Sequence, residues 1–173
     1  MLRFVEFVQQ ADFLVISGGV SVGQYDHVRP VLEELGCACS VHKLRMKPGK
    51  PFVFARHRSG RLIFGLPGNP VSSAVTFHLL VAPIIRAARG LPPQPPRVPG
   101  QLGEAVENRG DRPHYLRVRI AEPATATKPL PTLTTAGRQS SHALGGLARS
   151  DGLLRIEVGE RIDAGAAVSW LPW

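Results

Sequence analysis

The sequence predicts an α/β domain with a mainly parallel sheet, followed by a small mostly-β domain. Residues 12–17 form a short apolar run that ends in two glycines, and helical patterns then alternate with apolar runs up to Gly90. A Pro-rich segment separates this half from a second half in which apolar and polar residues alternate. We therefore predict a first domain over residues 1–90, a linker over 91–100 and a second domain over 101–173.

Composition narrows the class of protein. Hydrophobic residues make up 43% of the 173 residues, which is enough for a packed core. No stretch reaches the roughly 18 consecutive apolar residues of a membrane span, and the N-terminus lacks the apolar centre of a signal peptide. The two cysteines do not form the pattern of a secreted disulfide scaffold. We expect a cytoplasmic protein without a membrane partner.

The net charge of +8 comes from basic residues scattered along the chain. Nucleic-acid binding usually requires a clustered basic stripe or basic residues interleaved with aromatic ones, and the sequence shows neither pattern. We therefore expect no nucleic-acid partner. Two interpretations of the charge stay open, namely a general attraction to anionic small molecules and a solvated basic surface without a role.

The spacing of apolar residues predicts the elements of both domains. In the first domain these are a helix over 2–11, a strand over 12–17 buried on both faces, a helix from Asp26 to Gly36, a strand over 38–44, a hairpin formed by 51–56 and 61–64, and a helix over 71–89 with a kink near Pro83. In the second domain they are strands over 115–120, 153–158 and 166–170 and one helix over 141–148, capped by the hydroxyl of Ser140 or Ser141.

The first of three candidate binding loops follows the strand over 12–17. In an open α/β sheet the ligand lies outside the carboxyl ends of the strands, so loops at these ends converge. Glycines let the backbone approach a ligand closely, and free N–H groups beside a helix N-terminus favour an anion. A tight turn without a ligand would contain the same glycines. The glycines and the serine in this loop are Gly18, Gly19, Ser21 and Gly23.

Asp26, at the end of this loop, has two interpretations. As a helix N-cap it would stabilise the fold by about 1 kcal/mol and need no further role. At the mouth of an anion site, the same carboxylate would be an oxygen ligand for Mg²⁺.

The second and third loops precede the hairpin and the last helix of the first domain. Lys47 and Lys50 lie three residues apart on a segment stiffened by prolines, and their compact charges suit the oxygens of an anion. A solvated basic turn is the alternative. The third loop offers backbone donors and a helix dipole to an anion, although by itself it has the composition of an ordinary turn. Its residues are Pro67, Gly68, Asn69 and Pro70.

In their order and spacing, SGGVSVGQYD, RMKPGKP and GLPGNPVSSAVTF resemble the MoeA family of molybdopterin molybdenumtransferases, which includes the E domain of gephyrin. The segment GRQSSHALGGLARSDGLLRI resembles the C-terminal domain of that family, so the resemblance covers nearly the whole chain. It implies that the first domain is part of a three-layer molybdopterin-binding domain and that the second is the family's C-terminal β domain.

The resemblance also implies a reaction, the insertion of molybdate into adenylylated molybdopterin with release of AMP, assisted by Mg²⁺. On matching positions, Asp26, Lys47 and Lys50 would be catalytic, and Asp26 would also bind the metal. The positions that would line the substrate pocket are Gly18, Gly19, Ser21, Gly23, Pro67, Gly68, Asn69, Pro70 and Ser141.

Members of the family carry further domains before the part that this chain resembles. We therefore expect the chain to act as a fragment or subunit, either in a homodimer or with a complementing N-terminal chain. One alternative is a non-catalytic molybdopterin-binding module that serves as a scaffold or in dimerisation. Another is a fragment that folds poorly because its sheet is incomplete.

Overall fold

The structure is a computed structural model of the chain, and it describes residues 6, 10–20, 28–94, 96–140 and 143–173, with only the backbone of His42. The chain divides into two compact units. The first comprises Met1–Arg45 and Gly49–Val81, and the second comprises Met46–Pro48 and Ala82–Trp173. The domain boundaries that the sequence predicts stay a prediction.

The first unit is built on a four-stranded sheet in the order β1–β4–β3–β2. Its strands are β1 (Phe13–Ser17), β2 (Cys37–Lys43), β3 (Pro51–His57) and β4 (Leu62–Leu66). Only β1 and β4 are parallel, whereas β4 with β3 and β3 with β2 are antiparallel. The predicted mainly parallel sheet is therefore wrong for the described residues. Parallel neighbours need a crossover of roughly a dozen residues or more, and the segments 44–50 and 58–61 are too short for one.

Helix α1 (Val28–Glu34) covers one face of this sheet. Its buried residues Val28 and Leu32 share an apolar cluster with Val53 and Ile63, against which Leu14 and Ile16 of β1 also pack. Gly36 ends the helix with a φ of 77°, as predicted. The start of this helix at Asp26 lies outside the described residues. So does the predicted helix over 2–11, apart from Glu6 and Gln10, which are helical, and Ala11.

Strand β1 is not buried on both faces as predicted. Side chains alternate across a strand, and Leu14 and Ile16 pack against the apolar cluster. Val15 points to the other face, where 39% of its surface is exposed. Among the described strands β1 lies at the edge of the sheet and pairs only with β4.

Strands β3 and β4 form the predicted hairpin, and a long helical segment follows them. Helix α2 (Pro70–Thr76) continues through a π-helical turn (Phe77–Val81) into helix α3 (Ala82–Ala88). Pro83, which has no N–H to donate to the preceding turn, is the second residue after the irregular turn. The interruption thus lies where the sequence predicts a kink.

One stretch of the described chain, Pro70–Ala88, has the length and composition of a membrane-crossing helix. It contains 19 residues with a mean hydropathy of 1.5, and 28% of it is buried. Ser72, Ser73, His78 and Arg86 interrupt its apolar residues. A helix that packs against the core of a folded domain meets the same criterion, so the expected absence of a membrane partner stays a prediction.

The second unit is a β domain whose centre is a closed barrel in the order β11–β5–β8–β7–β9. Its strands are β5 (Val98–Leu102), β6 (Val106–Glu107), β7 (His114–Glu122), β8 (Thr132–Thr135), β9 (Gly152–Ile156), β10 (Arg161–Ile162) and β11 (Ala167–Pro172). Strands β6 and β10 pair separately from the barrel. Leu116, Leu133, Leu154 and Trp170 belong to the barrel core. The three strands predicted for this half correspond to β7, β9 and β11.

The short helix α4 (Leu144–Ala148) differs from its prediction at the N-terminus. Its N-cap is Ala143, which makes no side-chain cap hydrogen bond, so the predicted cap by Ser140 is wrong. Ser141, the other predicted cap, lies outside the described residues.

Candidate functional site

The loops after β1 and β4 meet at two glycines. The two strands are parallel neighbours with Ser17 opposite Leu66, so both loops leave the same edge of the sheet. The Gly18 N–H donates to the Leu66 carbonyl at 3.0 Å. A Cβ added to Gly68 would lie 3.5 Å from the Gly18 Cα. The structure thus brings the first and third predicted loops together at the carboxyl ends of the strands.

Gly18 and Gly19 adopt backbone conformations that favour glycine. Their φ angles are 90° and 69°, a region that residues with a Cβ rarely adopt. A Cβ on Gly19 would also lie 2.9 Å from Cγ2 of Val28. The remaining predicted site residues of this loop, Ser21, Gly23 and Asp26, lie outside the described residues.

Gly65 of β4 lies against Val20 of the first loop, and the sequence analysis did not identify it as a site residue. A Cβ on Gly65 would lie 2.6 Å from Cγ1 of Val20 and 3.1 Å from Cβ of Val53. Val20 is 2% exposed, so this contact fixes the end of the described part of the loop. A glycine within an apolar strand often marks a close approach by another part of the chain, and this signal was available in the sequence.

Asn69 caps helix α2 with both its side chain and its backbone. Its Oδ1 accepts from the N–H groups of Val71 at 3.2 Å and Ser72 at 3.4 Å. Its carbonyl accepts from the Ser73 N–H at 2.8 Å. Pro70 has no N–H, so the donors of the first turn are the N–H groups of Val71, Ser72 and Ser73. These groups were expected to face an anion, but all three donate to Asn69.

Pro67 and Gly68 complete the third loop. Pro67 is buried, and its carbonyl accepts a hydrogen bond from the Ser73 hydroxyl. Gly68 is exposed. The backbone at Gly68, next to Gly18, is therefore the part of this loop that a ligand can reach.

Lys50 belongs to the first unit and has an exposed side chain. Its carbonyl accepts from the Leu44 N–H at 2.9 Å, and the neighbouring Pro51 pairs with Lys43 in the sheet. The ends of β2 and β3 thus hold the backbone of Lys50 and leave its ammonium group in solvent.

Lys47 belongs to the second unit, where strand β7 holds its backbone. The Lys47 N–H donates to Pro113 at 2.9 Å, and its carbonyl accepts from Tyr115 at 2.8 Å. Its side chain is exposed. The two predicted lysines are thus three residues apart in sequence, but their backbones are held by different units.

His114 lies between the two hydrogen bonds that dock Lys47, in register with it. The ring is 7% exposed, and its Nε2 has no hydrogen-bond partner among the described residues. Burial first, and then the positive charges of Lys47 and Arg117, lower the pKa of His114 from 6.5 to about 4. Lys47 therefore lies beside an imidazole that is neutral at pH 7.

Two family models match the chain. Residues 3–87 match a probable molybdopterin-binding domain, and residues 99–173 match the C-terminal region, domain IV, of MoeA. This chain belongs to the MoeA family. The sheet-rich first unit overlaps the match to the molybdopterin-binding domain, and the β-barrel unit contains the match to the C-terminal region of MoeA.

Individual MoeA-family relatives show the same relationship. The molybdenum cofactor synthesis protein cinnamon of Drosophila melanogaster is 49% identical over 50% of this chain and 14% of its own length. A molybdopterin molybdenumtransferase of Synechocystis is 34% identical over 83% of the chain and 33% of its own length.

A solved structure of a MoeA protein from Pyrococcus horikosii superposes with a TM-score of 0.75 and 30% identity, over 98% of this chain and 39% of that one. The chain thus spans well under half the length of each of these three relatives.

Proposed function

We propose that this chain contributes the C-terminal part of a molybdopterin molybdenumtransferase in molybdenum cofactor biosynthesis. The reaction is the insertion of molybdate into adenylylated molybdopterin, with release of AMP. The main support is the convergence of two glycine loops at Gly18 and Gly68, on a chain whose relatives are named for this activity. Ser141, which lies outside the described residues, stays a predicted pocket residue.

The described residues suit an anionic substrate. Backbone without side chains at Gly18, Gly19 and Gly68 lets phosphate oxygens approach closely. The exposed ammonium groups of Lys47 and Lys50 would stabilise negative charge on the phosphates and on molybdate. Pro67, Asn69 and Pro70 would form the wall that holds Gly68 in place.

A role for Mg²⁺ in this proposal rests on Asp26, which lies outside the described residues. Within the part of the chain that the structure describes, no group of three or more His, Cys, Asp and Glu residues could hold a metal ion. The roles proposed for the glycines and lysines do not depend on Mg²⁺.

We also propose partners for this chain. A complementing N-terminal chain would supply the remaining acidic residues and complete a three-layer domain around the sheet; the alternative partner is a second copy in a homodimer. The relatives that the chain partly spans are far longer than it is. We also propose that this assembly acts in the cytoplasm.

Reconstitution tests this function. The chain is mixed with adenylylated molybdopterin, Mg²⁺ and molybdate, with and without an N-terminal chain from a family member, and AMP release is measured. We expect release in the complemented mixture, and Asp26→Ala should abolish it while largely preserving the fold. Absence of AMP from both mixtures would contradict the proposal.

A second candidate function is a non-catalytic molybdopterin-binding or scaffold module, which the match of residues 3–87 to a probable molybdopterin-binding domain supports. Calorimetry separates the two functions. Pterin binding that persists while the complemented mixture releases no AMP would favour the module.

A further inference from the structure

The described sheet of the first unit has two edges, and only the β2 edge is protected. Strand β2 pairs with β3 with two shifts of register, between Cys39 and Val41 and between Val41 and Lys43. The side chain of Lys43 is exposed. Irregular pairing and an exposed lysine are devices that keep an edge strand from pairing with another chain. The β2 edge has both.

Strand β1, at the other edge of the described sheet, has neither device. Its five residues, FLVIS, are uncharged and include no proline. They pair with β4 in one unbroken register, from Phe13 opposite Leu62 to Ser17 opposite Leu66. A regular, apolar and uncharged edge is a template for a further strand.

The backbone of β1 offers a row of hydrogen-bonding groups on its outer side. The Leu62 N–H donates to the Asp12 carbonyl at 3.3 Å, and the Gly18 N–H donates to the Leu66 carbonyl at 3.0 Å. Alternate residues of a strand bond to the same neighbour, so the even-numbered residues from 12 to 18 bond to β4. The N–H and carbonyl groups directed away from β4, with which no described strand pairs, are those of Phe13, Val15 and Ser17.

The side chains of β1 leave both apolar layers of the sheet open at this edge. Leu14 and Ile16 pack against the apolar cluster below α1 but are only half-buried. On the other face, Val15 lies opposite the fully buried Phe64 and is itself 39% exposed. An added strand with apolar side chains would extend both layers and remove apolar surface of β1 from water.

The length of the relatives and the charge of this chain favour one occupant for this edge. The chain matches the C-terminal region of MoeA, and it covers 39% of the MoeA protein from Pyrococcus horikosii. Most of that protein therefore lies before the matched part and is available to supply a strand. A second copy of this chain is disfavoured, because it would bring together two net charges of +8.

We propose that the outer side of Phe13–Ser17 is a docking edge, to which the N-terminal part of a MoeA protein adds a strand. This inference rests on the proposed function, since the added strand belongs to the complementing N-terminal chain. The docking edge lies entirely within the first unit. The added strand bonds to the outward backbone groups of β1, and its apolar side chains continue the layers that end at Val15 and Ile16.

Amide hydrogen exchange tests this pairing residue by residue. The probe is the part of the Pyrococcus horikosii MoeA protein that precedes the region covered by this chain, and it is mixed with the full chain. The N–H groups of Phe13, Val15 and Ser17 should then exchange at least about tenfold more slowly. Those of Leu14 and Ile16 already bond to β4 and should change little. Slowing that is absent, or equal at all five residues, would overturn the inference.

Two variants alter the docking edge without removing a bond to β4. Val15→Pro removes an outward N–H, a change that edge strands tolerate, and should raise the Kd for the probe by about tenfold. If Val15→Pro fails to fold, Val15→Lys places a charge on the edge and should have the same effect. Ser40→Lys, at an exposed position of the β2 edge, is the matched control and should leave Kd unchanged. A folded Val15 variant that binds the probe as tightly as wild type would overturn the inference.

The outcomes separate this inference from the proposed function. Slower exchange at the three outward residues without AMP release would contradict the function and support the docking edge. AMP release without slower exchange at these residues would contradict the docking edge alone. Slower exchange in the chain without the probe, increasing with protein concentration, would identify a second copy as the occupant and overturn the inference.

Discussion

At the scale of single residues, burial decides the charge of His114. Its pKa is lowered to about 4 from an ordinary value of 6.5, first by burial and then by Lys47 and Arg117. The unfolded chain therefore binds a proton between these two values and the folded chain does not. Stability must rise with pH across this window and fall as the pH is lowered from 6.5 through 4.

Replacement of His114 by Phe should remove this pH dependence. We expect wild-type protein to lose on the order of 3 kcal/mol of unfolding free energy below the folded pKa, relative to neutral pH. Denaturant titrations between pH 4 and pH 6.5 would measure the slope. Replacement of His57, at the hairpin turn, is the control for the loss of a histidine. Parallel curves for wild type and His114→Phe would show that the ring does not resist protonation.

Arg117 and Gly65 show why the surroundings of some residues escape prediction from sequence. Alternation along β7 predicts Arg117 on the solvent side, opposite Leu116 and Val118. The residue is nevertheless buried, because the segment before α4 covers that face of the strand. Such a cover is a tertiary contact that strand periodicity does not encode. Gly65 did carry a signal, a glycine within an apolar run, but its partner Val20 could only be identified in the fold.

At the scale of elements, caps and close contacts determine stability. Asn69→Ala should lower the free energy of unfolding by about 1 kcal/mol, because two N–H groups of α2 lose their acceptor. Asn69→Asp keeps an acceptor and should retain most of the stability. Denaturant unfolding of both variants checks this, and equal losses in the two would contradict the capping role.

Gly152 lies where β9 pairs with β11 in the barrel. A Cβ there would lie 2.2 Å from the Leu171 carbonyl oxygen and 2.8 Å from the Pro172 Cα, and backbone atoms cannot move aside cheaply. We expect Gly152→Ala to destabilise the protein by roughly 1–3 kcal/mol. Gly145→Ala, on the exposed side of α4, is the matched control, since its nearest neighbour is the end of a flexible arginine. Equal melting temperatures for Gly152→Ala and wild type would contradict this packing.

Several elements followed from the sequence because their signals are local. The β3–β4 hairpin, the end of α1 at Gly36 and the irregular turn before Pro83 each depend on residues close together in the chain. The direction of a strand does not follow from such a local signal, since a buried apolar run has the same appearance in parallel and antiparallel sheets. The connections before and after β3 are too short for parallel neighbours, and their length would have indicated antiparallel strands.

At the scale of the whole molecule, the positive charge is unevenly distributed. Between residues 35 and 103 the chain contains ten Lys and Arg residues and no Asp or Glu. This stretch includes Lys47, Lys50 and the loop around Gly68. A long cationic stretch raises the local concentration of anions, which suits a substrate that carries phosphates. The attraction should weaken as salt screens it.

We propose above all that Lys50 and the glycine loops bind adenylylated molybdopterin. Calorimetric titration of the chain with this ligand tests it most directly, with Lys50→Met as the variant and Lys43→Met, another exposed lysine near the same loop, as the matched control. We predict binding by wild type and Lys43→Met, and affinity about tenfold lower in Lys50→Met. Absence of binding by wild type, or equal affinity in the two variants, would contradict the claim.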